Sequence, residues 1–597
     1  FLESTMRRMV GAEQARAFDA VAEEFDDIAQ AWRWWAGRGE FGRLVDQMLL
    51  PLFRYATARF VGVNVAPLLD EAIAVLRSTT DDRLQTTDHE VPAIQRSLMV
   101  EAESLTLPPQ EGTEESASVG SQPWSVVRRP LSLPLAALLI ARAAIYANYF
   151  TQEFTPGDVR AAWALAQALG DDAARRLGYW YVTLNLVYGL LEAREPAIAN
   201  LRAFVAGAAS PAPTEIDANT SAFARQALAR LLIREFAPET DVLEARALLR
   251  EALAVFERSG NHDACASTYA ADADVSVLLG RYDEALAYLE RAQPPAESIG
   301  NWGLVWIILL NRREVYLQQG RPERMFPVFD EMLAMSRRVG NYRLECWTLS
   351  WDSIYALRYH SPERALFRRQ AAMLLAEEFD LTYDRAWSAL EIGDVYRVMG
   401  DAAAARRWFD TALPLFRQMG DRQGEAFYRR GRGDLAQAAG EWDAAYEHHA
   451  AFHAWADGRD TWARIYALCG MARAAVALDR PDEALGRLRT ALHLAVASGR
   501  RDTEALPVAG LAHLAVAVGR PALAGRLAAA VVASPLTWIE TRQWMAAEAG
   551  EQGSGGAGEM RTELTMGEVV ERLMAVEVEG IEWLLAVEGV VSVAQVS

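Results

Sequence analysis

Aromatic and charged residues recur in register along the second half of the chain. Trp347, Trp387, Phe427 and Tyr466 follow one another at intervals of 40, 40 and 39 residues. One or two helical turns further along the same faces stand Arg358, Asp394 with Arg397, Arg430 with Asp434, and Arg473. Aromatic faces flanked by arginines and carboxylates suit the binding of sugars, peptides or a partner helix. A periodic aromatic column is equally what packing between neighbouring helices predicts. The sequence leaves groove and core open for this column.

Two other constellations resolve to packing. "GRGDLA" (Gly431 to Ala436) matches the permissive dinucleotide fingerprint, but that fingerprint needs a strand before it and a helix opening on it. Here it falls inside a helical stretch, with Gly433 in the same small-residue column as Gly393. "EHHAAFH" supplies His448, His449 and His453, and the last two have the spacing of a helical metal site. His449, however, takes a position held elsewhere by Phe409 and Leu289, and no carboxylate or cysteine cluster adjoins it in sequence. We therefore expect no metal, no cofactor and no catalysis. There is no constellation of a nucleophile, its base and an anion-stabilising loop.

Composition removes further classes. The 597 residues contain no lysine, so a Walker-A lysine, a Schiff-base lysine and a lysine general base are all excluded. Sixty basic against eighty acidic residues give a net charge of −20, which argues against direct nucleic-acid or anionic-membrane binding. Cys265, Cys346 and Cys469 are far apart, odd in number and set in apolar stretches, as expected of reduced thiols in a cytoplasmic protein. The run "LPLAALLIARAAIYANYF" is broken by Arg142 and reads as a buried helix. The sequence starts at Phe1 rather than methionine, as expected of part of a longer protein.

The elements that carry these residues repeat. Gly260-Asn261, Gly300-Asn301, Gly340-Asn341 and Gly420-Asp421 form one series of turns; Gly280, Gly320, Gly400, Gly440 and Gly519 form another, with His360 and Asp479 on its missing beats. The period of forty slips once to thirty-nine, between Gly440 and Asp479. Such a period means stacked supersecondary units. The intervening segments have helical apolar spacing. Glycine supplies the left-handed residue that ends one helix, and Asn or Asp caps the next. Pro322, Pro362, Pro481 and Pro521 fall at first helical positions, where proline is tolerated. About ten helical hairpins are expected between Leu133 and Ser534, the clearest starting near His262, Trp302, Tyr342, Thr382, Arg422, Asp460 and Arg501.

Aligned hairpins show a small residue at Ala285, Ala365, Ala405, Ala445, Ala484 and Ala524, and a large one at Leu289, Phe329, Phe409 and Leu488. Together with Gly393, Tyr396 and Ala412, this resembles the tetratricopeptide-repeat signature. Met325 in the small column and Arg369 in the large one are departures, and their units should pack less regularly. The fold expected is all-α, a tetratricopeptide-like right-handed superhelix over 131–535. A helical block over 1–103 and a Pro/Ser/Glu/Gly-rich mobile linker over 104–130 precede it. C-terminal helices over 536–597, with the Gly-rich linker "GEQGSGGAGE", close it.

"FDDIAQAWRWWAGRGE" (Phe25 to Glu40) resembles the start of the helical-repeat region in bacterial signal-transduction ATPases of the STAND class. The match is at Glu24, Asp26, Ala31, Trp32, Trp34 or Trp35, and Ala36, with Asp27 and Gln30 departing from it. The forty-residue repeat resembles the sensor part of the maltotriose-responsive members, and "LTMGEVVERLMAVE" resembles their short closing helix. The resemblance implies a non-catalytic region that binds a protein, a peptide or a small-molecule inducer in its concave groove and regulates an ATPase domain outside this chain. The alternative is a constitutive protein–protein interaction scaffold.

Overall fold

The computed structural model describes residues 1–9, 11–59, 62–85, 132–148, 156–207, 215–233, 237–552, 564–576, 583–584, 586–587 and 591. The expected linker 104–130 and most of the Gly-rich stretch lie outside them. Every regular element among the described residues is helical, and hairpin follows hairpin from Ser132 to Ala533. The chain divides into two compact units, Phe1–Asn311 and Arg312–Ser597.

The turns carry the chemistry that the repeat requires. Glycines 260, 280, 300, 320, 340, 400, 420, 440 and 519 all have φ between 67° and 84°, a region that costs a side chain and suits glycine. Asp479 joins them at φ 57°, and Asp380 fills the beat between Gly340 and Gly420 at φ 51°. His360 does not: its φ is −128°, and the turn closes instead through Ser361, whose hydroxyl accepts from the Arg364 amide ahead of Pro362. The caps are side-chain oxygens, with Asn341 accepting from Leu344 N, Asp401 from Ala404 N and Asp460 from Ala463 N. Each satisfies an amide that the first helical turn leaves unpaired.

In the first unit the Gly-Asn turns also join neighbouring hairpins. Asn261 caps its own helix through Ala264 N, and its amide donates to Asn219 Oδ1 at 2.8 Å. Asn301 caps through Leu304 N and donates to Asp263 Oδ1 at 2.8 Å. Gln14, from the N-terminal helices, donates to Asn261 Oδ1 at 2.8 Å and accepts from Asp263 N at 3.0 Å. Those N-terminal helices share one apolar core with residues 136–145 and 159–187. Within it Trp32 is fully buried and donates to the Leu68 carbonyl at 2.8 Å, whereas Trp34 stays exposed under Arg38.

In the second unit the large-residue column sets the spacing. Phe409 lies against two glycines: a Cβ on Gly393 would stand 2.5 Å from its ring, and one on Gly431 would stand 2.6 Å from it. Gly393 belongs to the first helix of Phe409's own hairpin and Gly431 to the next. His449 repeats the arrangement between Gly433 and Gly470, and Leu488 sits against Gly510. Gly431 and Gly433 of the fingerprint-like stretch are thus buried contacts in the middle of helix Arg422–Ala438.

The two departures are accommodated differently. Met325 is fully buried, and its helix opens with a 3-10 turn, Pro322–Arg324, before becoming α-helical. The division between the two units falls in helix Trp302–Gln318, the helix before it in sequence. Arg369 is buried within the regular helix Pro362–Glu378, donating to the Ser350 carbonyl at 2.9 Å and facing the Glu391 carboxylate. Pairing takes the place that apolar bulk fills elsewhere. At the far end, helix Met566–Met574 starts with a capping box and buries Val569, Val570 and Leu573 among Leu523, Leu527 and Val531. Burial pushes the Cys265 and Cys346 thiols up to about 12, so neither is a ready nucleophile.

Two outcomes follow from this packing. Gly431→Ala gains about 1 kcal/mol of helix propensity but overpacks against Phe409 by about 1–3 kcal/mol. Its melting temperature should fall, and Phe409→Leu in the same chain should restore part of the loss. His449 is fully buried, and burial lowers its pKa despite Asp434. A histidine with a lowered folded pKa gives stability that is present above its unfolded value, about 6.5, and lost as pH falls below it. His449→Leu should therefore raise the melting temperature, with the gain larger at pH 5.5 than at pH 7.5. An equal gain at both would show that the folded histidine takes up its proton as readily as the unfolded one.

Candidate functional site

The first helices of four successive hairpins carry one stripe each at alternating spacings of four and three. In Thr382–Val398 it reads Tyr383, Trp387, Leu390, Asp394, Arg397; in Arg422–Ala438, Gln423, Phe427, Arg430, Asp434. In Tyr342–Tyr359 it is Trp347, Trp351, Ile354, Arg358, and in Thr461–Ala477 it begins Trp462, Tyr466. Residues at this spacing share a helix face. Glycine contacts fix the register of the last three of these hairpins, and Arg369 joins Tyr342–Tyr359 to Thr382–Val398, so the stripes stand side by side.

They enclose a cavity of about 340 Å³. Seven of the ten residues singled out above line it: Trp387, Phe427, Tyr466, Arg358, Asp394, Arg397 and Arg430. Three do not. Trp347 lies outside, directed at the Asp384 carboxylate. Asp434 stands behind the wall, accepting from the Tyr466 hydroxyl at 3.0 Å, and so orients that ring. Arg473 stacks over Trp544, its Cζ 4.3 Å from the ring centre.

The aromatic column serves core and cavity together. Trp387 meets Phe416 edge-on at 5.3 Å, and Phe427 meets Phe452 at 5.2 Å. Both remain half-buried, and they meet one another edge-on at 5.3 Å across the cavity wall. Rings held in the core on one side and free on the other give a preformed apolar surface.

The charges are mostly matched. Arg397 makes a two-pronged pair with Glu540, at 2.5 and 3.0 Å, and lies 3.7 Å from Asp394 and 3.8 Å from Asp434. Burial works against its charge, but Glu540 and Asp434 outweigh it and hold the guanidinium well above its ordinary value. Arg430 pairs with Asp394, its guanidinium 5.4 Å from the Phe427 ring centre and 5.6 Å from that of Tyr466. Burial, followed by Asp434, pushes the Tyr466 hydroxyl up, so it remains a donor at neutral pH.

Sequence reasoning missed part of the wall. Trp351, Tyr383 and Trp462 lie one turn from column members on the same stripes, and the four-residue spacing could have revealed them. Trp538 and Glu540 gave no such signal. They follow the last hairpin, where Thr537 ties to the Val531 carbonyl at 2.6 Å and Arg542 to that of Ser534 at 2.8 Å. This returns Trp538 to within 6.1 Å of both Trp462 and Tyr466. The last segment thus closes a cavity built by earlier repeats.

The tetratricopeptide-repeat family model matches residues 239–294 and 384–451. These segments are tetratricopeptide repeats. The second contains Trp387, Asp394, Arg397, Phe427 and Arg430, so much of the cavity wall is built on recognised repeats. No curated protein matches the chain. Among solved structures it is similar to a Rap protein complexed with competence and sporulation factor, at 13% identity over 61% of this chain and 99% of that one, TM-score 0.36. It is also similar to a STAND protein with a tetratricopeptide repeat sensor from Pyrococcus horikoshii, at 11% identity over 81% and 72%, TM-score 0.33. A third is yeast Tom70, at 13% identity over 88% and 96%, TM-score 0.32. Among the described residues no helix is long and apolar enough to cross a membrane.

The pair of Arg397 and Glu540 should be visible in acid. Arg397 outweighs burial and holds the Glu540 carboxyl below its ordinary value, so its stabilisation is present above about 4.3 and lost as pH falls further. Glu540→Gln should lower the melting temperature by a few degrees at pH 7, and the deficit should shrink by pH 3.5. A deficit independent of pH would mean that Glu540 acts through its shape alone.

Proposed function

We propose that this chain is the non-catalytic sensor region of a STAND-type signalling ATPase, binding a small ligand or a peptide in the cavity on its first helices. The observation that carries this reading is the cavity itself. It is about 340 Å³ in volume, walled by aromatic faces, with polar groups converging on it at fixed positions. Pockets that hold small molecules have this size and this mixture of apolar wall and few polar groups. Closure by Trp538 and Glu540 gives the ligand a way to act, because their segment leads into the C-terminal helices. A ligand that favoured one placement of that segment over another would shift its population. The link to an upstream ATPase module rests on the resemblance of Phe25–Glu40.

A constitutive scaffold is the second reading, favoured by the rings' contacts with Phe416 and Phe452, which give them a purpose without a ligand. A thermal-shift screen with sugars, nucleotides and short peptides separates the two, run on the parent chain and on Trp387→Leu. The sensor reading expects a ligand that raises the parent's melting temperature and loses that effect in a variant whose circular dichroism is unchanged. If nothing shifts the parent while a protein partner binds equally to parent and variant, the scaffold reading replaces it.

A further inference from the structure

Arg358 is the cavity's unmatched charge. Arg397 and Arg430 each pair with a carboxylate on the wall, and the Glu391 carboxylate faces Arg369. Arg358 has no ion pair and no hydrogen bond among the described residues. What surrounds it is aromatic: its Cζ lies 4.4 Å from the ring centre of Trp538, 5.2 Å from that of Trp462 and 5.8 Å from that of Tyr355. The carboxylate that acts on it from a distance, Asp502, is already held in two-pronged fashion by Arg500 at 3.1 and 3.3 Å. Burial pulls the Arg358 pKa down, and Arg430 opposes its charge as well.

Stacking does not satisfy an arginine. The rings cover the faces of the guanidinium, whereas its five N–H donors lie in its plane and point outward. In-plane donors on a partly buried guanidinium match a carboxylate, which takes two parallel N–H bonds. The wall beside the guanidinium is made of indole and phenol faces, which fit a flat apolar body.

We infer that the ligand of this cavity is an aromatic monocarboxylate, its carboxylate bound edge-on by Arg358 and its ring laid against Trp462 and Trp538. The inference rests on the reading of the cavity as a binding site and adds the chemical class of what binds. A ligand carboxylate would give Arg358 the hydrogen-bonded partner that the wall's own carboxylates give Arg397 and Arg430. The same chemistry can come from a free acid or from the C-terminal carboxylate of a peptide ending in an aromatic residue.

Isothermal titration on the full chain tests it with indole-3-acetate and N-acetyl-tryptophan, each against its neutral amide. Both arms present an indole and one carboxylate, the first as a free acid and the second as a peptide end. Whichever source is right, the acid should bind at least about tenfold more tightly than its amide, since hydrogen bonds to a charged group contribute about 1.5–3 kcal/mol. Arg358→Gln should abolish that preference, so that acid and amide bind the variant alike. Arg358→Lys, which keeps the charge without the planar fork, should retain part of it, and it stands in should the glutamine variant fail to fold. Equal binding of acid and amide overturns the inference and leaves the cavity as a binding site. So does binding of a sugar, nucleotide or uncharged peptide with no binding of either acid. If none of these compounds binds, the inference and the binding-site reading fall together.

Discussion

How closely two helices can approach is decided in this chain by glycine facing a ring. Phe409 occupies the space that side chains on Gly393 and Gly431 would need, and His449 does the same at Gly433 and Gly470. Each large residue therefore registers against the first helix of its own hairpin and that of the next. Close-packed interiors transmit such constraints because there is little free volume to absorb a slip. The stripes of three successive first helices stand level for this reason, and the fourth, on Tyr342–Tyr359, is joined to them through Arg369, which reaches the Ser350 carbonyl and the Glu391 carboxylate.

Arginine suits that cavity in a chain without lysine. A planar guanidinium can pair with a carboxylate along its edge and stack on a ring through its face, and both uses occur here. Arg397 and Arg430 take carboxylates from the wall, whereas Arg358 is stacked only. The turns of the first unit solve a different problem with side-chain amides. There Asn261 and Asn301 each cap one helix and bond sideways to the neighbouring hairpin, Asn261 to the Asn219 amide and Asn301 to the Asp263 carboxylate.

The repeat and its elements were legible in the sequence because their signals are local. Glycine in the left-handed region, an Asn or Asp cap and proline at a first helical position each act within a few residues. Six of the seven best-defined hairpins start their first helices at His262, Trp302, Tyr342, Thr382, Arg422 and Thr461 accordingly, and the seventh opens with the 3-10 turn Arg501–Thr503 before its helix begins at Ala505. His360 shows the limit, since a serine cap and a proline can close a turn by another route. Arg369 shows another, because a lone arginine in an apolar column does not announce the Ser350 carbonyl and Glu391 carboxylate that receive it.

For the site, the sequence by itself determined which residues share a helix face, because spacings of four and three fix direction within one helix. It determined in this way that Trp387, Asp394 and Arg397 stand together, and that Phe427 stands with Arg430. Which faces meet, and what closes over them, only the tertiary structure decided. Trp538 and Glu540 reach the cavity from beyond the last hairpin, and Trp347, on an equivalent stripe, is left outside it. No local spacing encodes contacts between residues so far apart along the chain. They arise when the stacked hairpins bring the segment after the last helix back to helices formed earlier, and that path is a property of the packing as a whole.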